Sequence, residues 1–131
     1  MLTQNIPTAT FILHELDESL AAQLCKAAAG SRLAFYPSSS TTECVALATR
    51  LHADGVFCSA EPGECRKLLT RMKGKGLHTP IVVVSRIPEV TEWVGAIEAG
   101  ATDYCAAPFE HRDISWLLQS VLLASQHAHV S

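Results

Sequence analysis

Apolar residues follow two alternating periods along this chain, and the alternation predicts strands that take turns with helices. Between the strands, apolar residues recur three or four positions apart, as Leu16, Leu20 and Leu24 do, which indicates one buried stripe on a helix. A continuous β-branched run at 81–85 indicates a strand buried on both faces. The predicted strands are 10–14, 32–36, 55–59, 81–85 and 102–106.

Two helix starts carry side chains suited to capping. Asp17 precedes the first helix, and Ser40-Thr41-Thr42-Glu43 has the spacing of a capping box before the second. The apolar period then places Cys44, Ala48 and Leu51 on the buried side of that second helix. We expect both helices to begin where these residues stand.

Five strand and helix repeats of this length predict a doubly wound α/β domain. The expected fold is a (βα)5 flavodoxin-like parallel sheet of five strands in the order 2-1-3-4-5. We expect one domain over residues 9–125, an N-terminal extension at 1–8 and a frayed tail at 126–131. The acidic loop at 14–18 would repel a phosphate, which disfavours flavin binding at this position.

Composition narrows the function classes. The 131 residues are 48% hydrophobic and 18% charged with a formal net charge of −3, and no apolar run is long enough to span a bilayer. We expect a cytoplasmic protein that binds neither a membrane nor, by this chain alone, nucleic acid. The five cysteines include no CxxC pair, so we expect free and mostly buried thiols.

Residues 79–86 (TPIVVVSR) and 98–109 (EAGATDYCAAPF) closely resemble the second half of response-regulator receiver (CheY-like) domains. The resemblance implies that Ser85 stands where the family binds a phosphoryl group, that Tyr104 is the switch aromatic, and that the Ala107–Pro108 peptide bond is cis. It further implies a signalling role in a two-component phosphorelay system, without enzymatic activity.

The same resemblance indicates a degenerate phosphoacceptor pocket, in which several residues depart from the family. Glu15 matches the first of two acidic Mg²⁺ ligands, but Leu16 takes the second place, and Cys58 or Ser59 takes that of the phosphorylated aspartate. The family's lysine is replaced by Ala107, and Arg86 fills a position that is normally small. The expected pocket therefore comprises Glu15, Leu16, Cys58, Ser59, Ser85, Arg86 and Ala107.

The favoured interpretation is a pseudo-receiver that acts through protein–protein contacts, requires no cofactor and holds no metal. One alternative is an active receiver in which Glu15, with Asp17, Glu18 or Glu61, gathers Mg²⁺ and phosphate arrives at an unusual position. A second alternative is a redox sensor or enzyme that uses the Cys58 thiol, with Arg86 or His14 to lower its pKa.

The partner surface implied by the resemblance is formed by the predicted fourth helix, fifth strand and fifth helix. Trp93 and Trp116 lie beside, and not within, the apolar stripes of their helices. Tryptophan is enriched at binding hot spots. We expect a signalling partner or a second copy of the chain to bind at Trp93, Tyr104, Trp116 and Leu117.

Overall fold

The strands form one parallel sheet in the computed structural model of the chain. The structure describes residues 9–28, 32–59, 64–85, 97–98, 100–101, 103–106, 119 and 121, with the backbone alone at 64 and 103–106. In chain order the elements are β1 (Ala9–His14), α1 (Glu18–Ala27), β2 (Leu33–Ser38), α2 (Thr41–Leu51), β3 (Gly55–Ser59), α3 (Glu64–Gly74), β4 (Ile81–Ser85) and β5 (Asp103–Ala106). The sheet order β2-β1-β3-β4-β5 confirms the predicted fold class.

The sheet separates two apolar layers, because neighbouring residues of a strand point to opposite faces. We call them the α1 face and the α2–α3 face. The α1 face buries Phe11, Leu13, Leu20, Leu24, Phe57, Val82, Val84 and Val121. The α2–α3 face buries Ile12, Cys44, Val45, Ala48, Val56, Cys58, Cys65, Leu68, Met72, Ile81 and Val83.

Close packing on the α1 face explains the glycine that begins β3. A Cβ atom at Gly55 would lie 2.8 Å from Cε1 of Phe11 and 2.8 Å from Cγ1 of Val121. Phe11 is also the centre of an aromatic group, with ring centroids 5.4 Å from Phe57 and 6.1 Å from Phe35. The absence of a side chain at Gly55 thus leaves the space that Phe11 and Val121 occupy.

The capping predictions are confirmed, with one shift. Asp17 Oδ1 accepts a hydrogen bond from the Leu20 amide (2.8 Å), and Ser40 Oγ accepts one from the Glu43 amide (3.1 Å). The Glu43 carboxylate reaches back to the Ser39 amide (2.8 Å), one residue before the usual capping-box partner. The two bonds that involve Glu43 hold the β2–α2 turn against the start of α2.

The buried stripe of α2 and the limits of β2 differ from the sequence prediction. Leu51 is half-buried, and the buried stripe of α2 consists of Thr41, Cys44, Val45 and Ala48. β2 begins one residue later than predicted and extends past Tyr36 to Ser38, so that it includes Pro37. A proline fits here because β2 is an edge strand, where a missing N–H can face away from the sheet.

Candidate functional site

The carboxyl ends of β1, β3 and β4 meet at one edge of the sheet, which is where parallel α/β folds bind ligands. Strand register places Cys58 beside His14 and Ser59 beside Val84. Ser85, the last residue of β4, lies beside Ala106 of β5. The described members of the predicted pocket therefore do lie along the same edge.

The described residues of the predicted pocket do not all lie on the same face of the sheet. Cys58 packs in the α2–α3 layer. Ser85 follows Val84, which packs on the α1 face, so strand alternation places Ser85 on the same side as Cys58. Ser59 follows Cys58 and therefore lies on the α1 face. The two candidates for the acceptor position are thus separated by the sheet itself.

The Cys58 side chain is part of the core. It is fully buried and belongs to the apolar cluster that contains Ile12, Val56 and Val83. Ser59 is half-buried at the end of the strand. An isolated carboxylate or phosphoryl group at the Cys58 position would have to be desolvated among apolar side chains, which costs several kcal/mol.

The β1–α1 turn carries a strained backbone and an apolar contact where the resemblance implied two metal ligands. Glu15 is exposed and adopts a left-handed conformation with φ of 54°, which is uncommon for a residue other than glycine. Its amide donates a 2.8 Å hydrogen bond to the Ser38 carbonyl oxygen, which extends the contact between β1 and β2 by one residue. Leu16 is half-buried and packs against the α1-face cluster.

A buried histidine–serine pair, which sequence reasoning missed, occupies this edge on the α2–α3 face. His14 is fully buried, and its Nδ1 lies 2.8 Å from Oγ of Ser38. A polar residue at the end of an otherwise apolar strand was the only signal in the sequence, and the partner stands 24 positions away. The pair joins β1 to the edge strand.

Ser38 also contacts the thiol of Cys44 in α2. Burial raises the pKa of Cys44 to about 11, the hydrogen bond from Ser38 offsets part of that rise, and the Glu43 charge adds to it. Burial likewise raises the pKa of Cys65, with partial compensation by Arg66, and that of Cys25. Cys25, Cys44, Cys58 and Cys65 form no disulfide bond in the described part of the chain, and of these four only Cys25 is exposed. The raised pKa values favour unreactive thiols at Cys25, Cys44 and Cys65.

The remaining predicted site residues lie outside the described part of the chain: Arg86, Trp93, Ala107, Pro108, Trp116 and Leu117. Tyr104 lies in β5 with Val83 as its strand partner, and only its backbone is described. The replaced lysine, the cis peptide bond and the aromatic partner face accordingly stay predictions.

The described residues contain no arrangement of three or more histidine, cysteine or carboxylate side chains that could hold a metal ion. Every buried side-chain nitrogen and oxygen within the same residues has a hydrogen-bond partner. No helix in the described part is long and apolar enough to cross a membrane.

Beside the filled edge, a second site opens between the ends of β1 and β2. It is a groove of about 460 Å³ that sequence reasoning did not find. Its apolar lining residues are Leu13, Leu16, Ala21 and Pro37. Three acidic residues, Glu15, Asp17 and Glu43, also line it. We call this site the acidic groove.

Comparison with solved structures identifies the architecture. A protein from Chloroflexus aurantiacus described as a response regulator matches with a TM-score of 0.72 and 22% identity, over 90% of this chain and 99% of its own. The orphan response regulator HP1043 of H. pylori matches with a TM-score of 0.68 and 22% identity, over 87% of this chain and 97% of its own. NtrX from Brucella abortus matches with a TM-score of 0.76 and 17% identity, over 92% of this chain and 29% of its own.

The sequence comparisons add no assignment, since no protein-family model and no curated protein matches the chain. The identities to the solved structures are low, whereas the matches cover nearly the whole chain. The chain therefore has the fold of response-regulator receiver domains.

Proposed function

We propose that this chain is a cytoplasmic receiver-type interaction module of a two-component signalling system, and that it does not carry a phosphoaspartate. The shared fold supports the signalling role. The observation that supports the loss of phosphorylation is the position of Cys58, which is fully buried among apolar side chains at the end of β3.

Phosphoryl transfer to a receiver requires an accessible carboxylate and a magnesium ion held by oxygen ligands. At the matching positions this chain has a thiol in the core, a half-buried serine on the other face of the sheet, and Leu16 against the α1-face cluster. The hydrogen-bonded pair of His14 and Ser38 fills the adjoining end of β1. Function then depends on surfaces, through a protein partner or a second copy of the chain.

The test is incubation of the purified protein with acetyl phosphate and Mg²⁺, followed by intact mass spectrometry. An active receiver treated in parallel confirms that the reagent is competent. We expect no phosphoryl adduct on this chain. A stoichiometric adduct would overturn the proposal and favour the alternative in which Glu15 and neighbouring acids bind Mg²⁺ and phosphate arrives at an unusual position.

The thiol alternative receives less support. A cysteine that acts as a nucleophile or redox sensor needs solvent access and a lowered pKa. Cys58 has no exposed surface, and the pKa of its core neighbour Cys44 is raised to about 11. Both observations favour a packing role for the thiols of the α2–α3 face.

A further inference from the structure

We propose that the solvent side of α3 and the turn after it bind an acidic segment of a protein partner. We call this surface the basic face, and its members are Arg66, Lys67, Arg71, Lys73 and Lys75. Such binding rests on the proposed function as an interaction module, and it gives that module a partner surface and a partner chemistry. It does not depend on whether the chain is phosphorylated.

Positive charge is concentrated in one stretch of a chain whose formal net charge is −3. Residues 65–78 contain five lysine and arginine residues and no acidic residue, whereas the other positions contain five basic and 13 acidic residues. The stretch therefore carries a formal charge of +5 and the rest of the chain −8, which together give the net charge of −3. A surface of one sign on a protein of the other sign favours a partner of complementary charge.

The packing of α3 turns these cations outwards. The side of the helix that is buried in the α2–α3 face consists of Cys65, Leu68 and Met72. At about 100° per residue, Arg66 and Lys73 lie within about 20° of each other around the helix, and Lys67 and Arg71 within about 40°. All four side chains are exposed, and so is Lys75 in the turn that follows. The cations thus form two adjacent rows on the side of α3 that faces solvent.

Helix stability alone does not explain this arrangement. Cations favour the last turn of a helix through its dipole, which accounts for Arg71 and Lys73. Arg66 lies in the first turn of α3, where positive charge is unfavourable. Arg71 also has a lysine four positions before it and another four positions after it, a spacing at which like charges repel. In α1 and α2 the only cations, Lys26 and Arg50, lie in the last turn. A local rule that is broken in one helix alone indicates a function for the extra charges.

The side chains of the basic face suit carboxylates. Each row contains one arginine, whose planar guanidinium binds a carboxylate through two parallel hydrogen bonds, and one lysine, which acts as a compact charge. Thr70 lies between the rows, and its hydroxyl donates a 2.9 Å hydrogen bond to the Arg66 carbonyl oxygen. The face therefore attracts a partner mainly through charge.

The size of the basic face favours a short protein segment over an extended polyanion. From Arg66 to Lys73 the face is about 10 Å long, close to the screening length of about 8 Å in physiological salt. A short acidic segment meets the cations alone, whereas DNA or an anionic bilayer extends past them to a chain that otherwise carries −8. Residues 64–78 include no phenylalanine, tyrosine or tryptophan on which a base could stack, and the apolar side of α3 is packed in the core, away from any bilayer.

The probe is a fluorescein-labelled hexadecapeptide in which pairs of glutamate alternate with pairs of alanine, and its binding to the full chain is measured by fluorescence anisotropy. The control peptide has glutamine in place of glutamate. The variant Arg71→Gln/Lys73→Gln removes two charges from the basic face, and Lys26→Gln/Arg32→Gln removes two exposed charges elsewhere. Both variants change the formal net charge from −3 to −5, so they differ only in where the charge is lost.

We expect the glutamate peptide to bind and the glutamine peptide not to bind. The affinity for the glutamate peptide should fall about fivefold in Arg71→Gln/Lys73→Gln, because two exposed ion pairs are lost, and it should stay within about twofold in Lys26→Gln/Arg32→Gln. Raising the salt concentration should weaken binding to the wild type. Glutamine is a good helix former, and circular dichroism checks that both variants keep their helices.

No binding of the glutamate peptide, equal binding of the glutamine peptide, or equal losses in the two double variants would each contradict the proposal. Tighter binding of a single-stranded DNA hexadecamer or of phosphatidylserine vesicles would assign the basic face to nucleic acid or to a membrane and would also contradict it. So would self-association that only Arg71→Gln/Lys73→Gln abolishes, because the partner would then be a second copy. A phosphoryl adduct with acetyl phosphate would overturn the proposed function alone, whereas absent peptide binding would overturn the basic face alone.

Discussion

Two neighbouring junctions at the same edge of the sheet differ in what they offer to a ligand. At the β1–β3 junction, where the receiver fold usually carries its chemistry, Cys58 and His14 are fully buried. At the β1–β2 junction, an open groove is lined by apolar residues and by three acidic residues. The first junction is filled and the second is accessible.

The edge strand shapes the second junction. Ser38 joins β2 to the end of β1, because its hydroxyl pairs with His14 and its carbonyl oxygen accepts from the Glu15 amide. The same extension of β2 brings Pro37 and the capped start of α2 beside the β1–α1 turn, which creates the groove. Pro37 and Ser38, which the sequence prediction left outside β2, therefore belong to the strand and line the groove.

The largest expected effect comes from introducing a carboxylate at the filled junction. Cys58→Asp should destabilise the domain by roughly 4 kcal/mol or more, because a charged carboxylate would be desolvated in the buried layer. Urea unfolding followed by circular dichroism measures this. Ser59→Asp, at a half-buried position on the other face, should cost much less. Equal stability of Cys58→Asp and wild type would mean that the end of β3 is open.

A smaller effect should appear at alkaline pH on the α2–α3 face. The pKa of Cys44 is raised to about 11 in the folded state from an ordinary value of 9.0, so the folded state keeps the thiol protonated. Its contribution is complete below pH 9 and is lost as the pH rises towards 11, by roughly 2–3 kcal/mol.

The measurement is the free energy of unfolding between pH 8 and pH 11. Other groups also titrate in this range, so the decisive quantity is the difference between the wild type and Cys44→Ala. The variant should show a shallower decline. Parallel curves for the two proteins would mean that the Cys44 thiol is solvated, and that this part of the filled layer is looser than the structure indicates.

The hydrogen bond between His14 and Ser38, which joins β1 to β2, should contribute about 1–3 kcal/mol when it is broken from one side. Ser38→Ala leaves the buried imidazole of His14 without this partner. The double variant His14→Leu/Ser38→Ala removes both polar groups and should recover part of the loss. A double-mutant cycle by urea unfolding measures the coupling, and strictly additive losses would contradict the pair.

Particular residues show why the fold could be predicted more fully than the site. β3 and β4 have the predicted limits, because a continuous apolar run bounded by polar residues has few alternatives. The capping residues Asp17 and Ser40 act within three or four positions of their partners, so their role is visible locally. Short-range patterns were sufficient for these elements.

The site depends on contacts between distant positions. Whether Cys58 or Ser59 faces the core is decided by strand register, and a shift of one residue exchanges the two faces. The pairing of His14 with Ser38 and the formation of the groove both depend on β2 continuing past Tyr36, where a proline suggests that the strand has ended. The sequence could indicate which positions lie at this edge of the sheet, but not which side chains pair or pack there.

The smallest expected effect tests whether the accessible junction is preformed. Asp17→Asn and Glu43→Gln keep an amide oxygen where each carboxylate accepts a backbone hydrogen bond. Asparagine caps a helix about as well as aspartate, and reduced repulsion among three carboxylates offsets some of the lost attraction to the helix starts. We therefore expect each variant to change the free energy of unfolding by less than about 0.5 kcal/mol.

Asp17→Ala provides the contrast, since it removes the capping bond and should cost about 1 kcal/mol. Urea unfolding at low and high salt separates the two contributions, because salt screens the charge and leaves the hydrogen bond. If Asp17→Asn lost as much stability as Asp17→Ala, the charge itself would be needed to hold the β1–α1 turn. Removing the negative charge of the groove would then also change the shape of the groove. The β1–β2 junction could no longer be described as a preformed accessible site, in contrast to the filled β1–β3 junction.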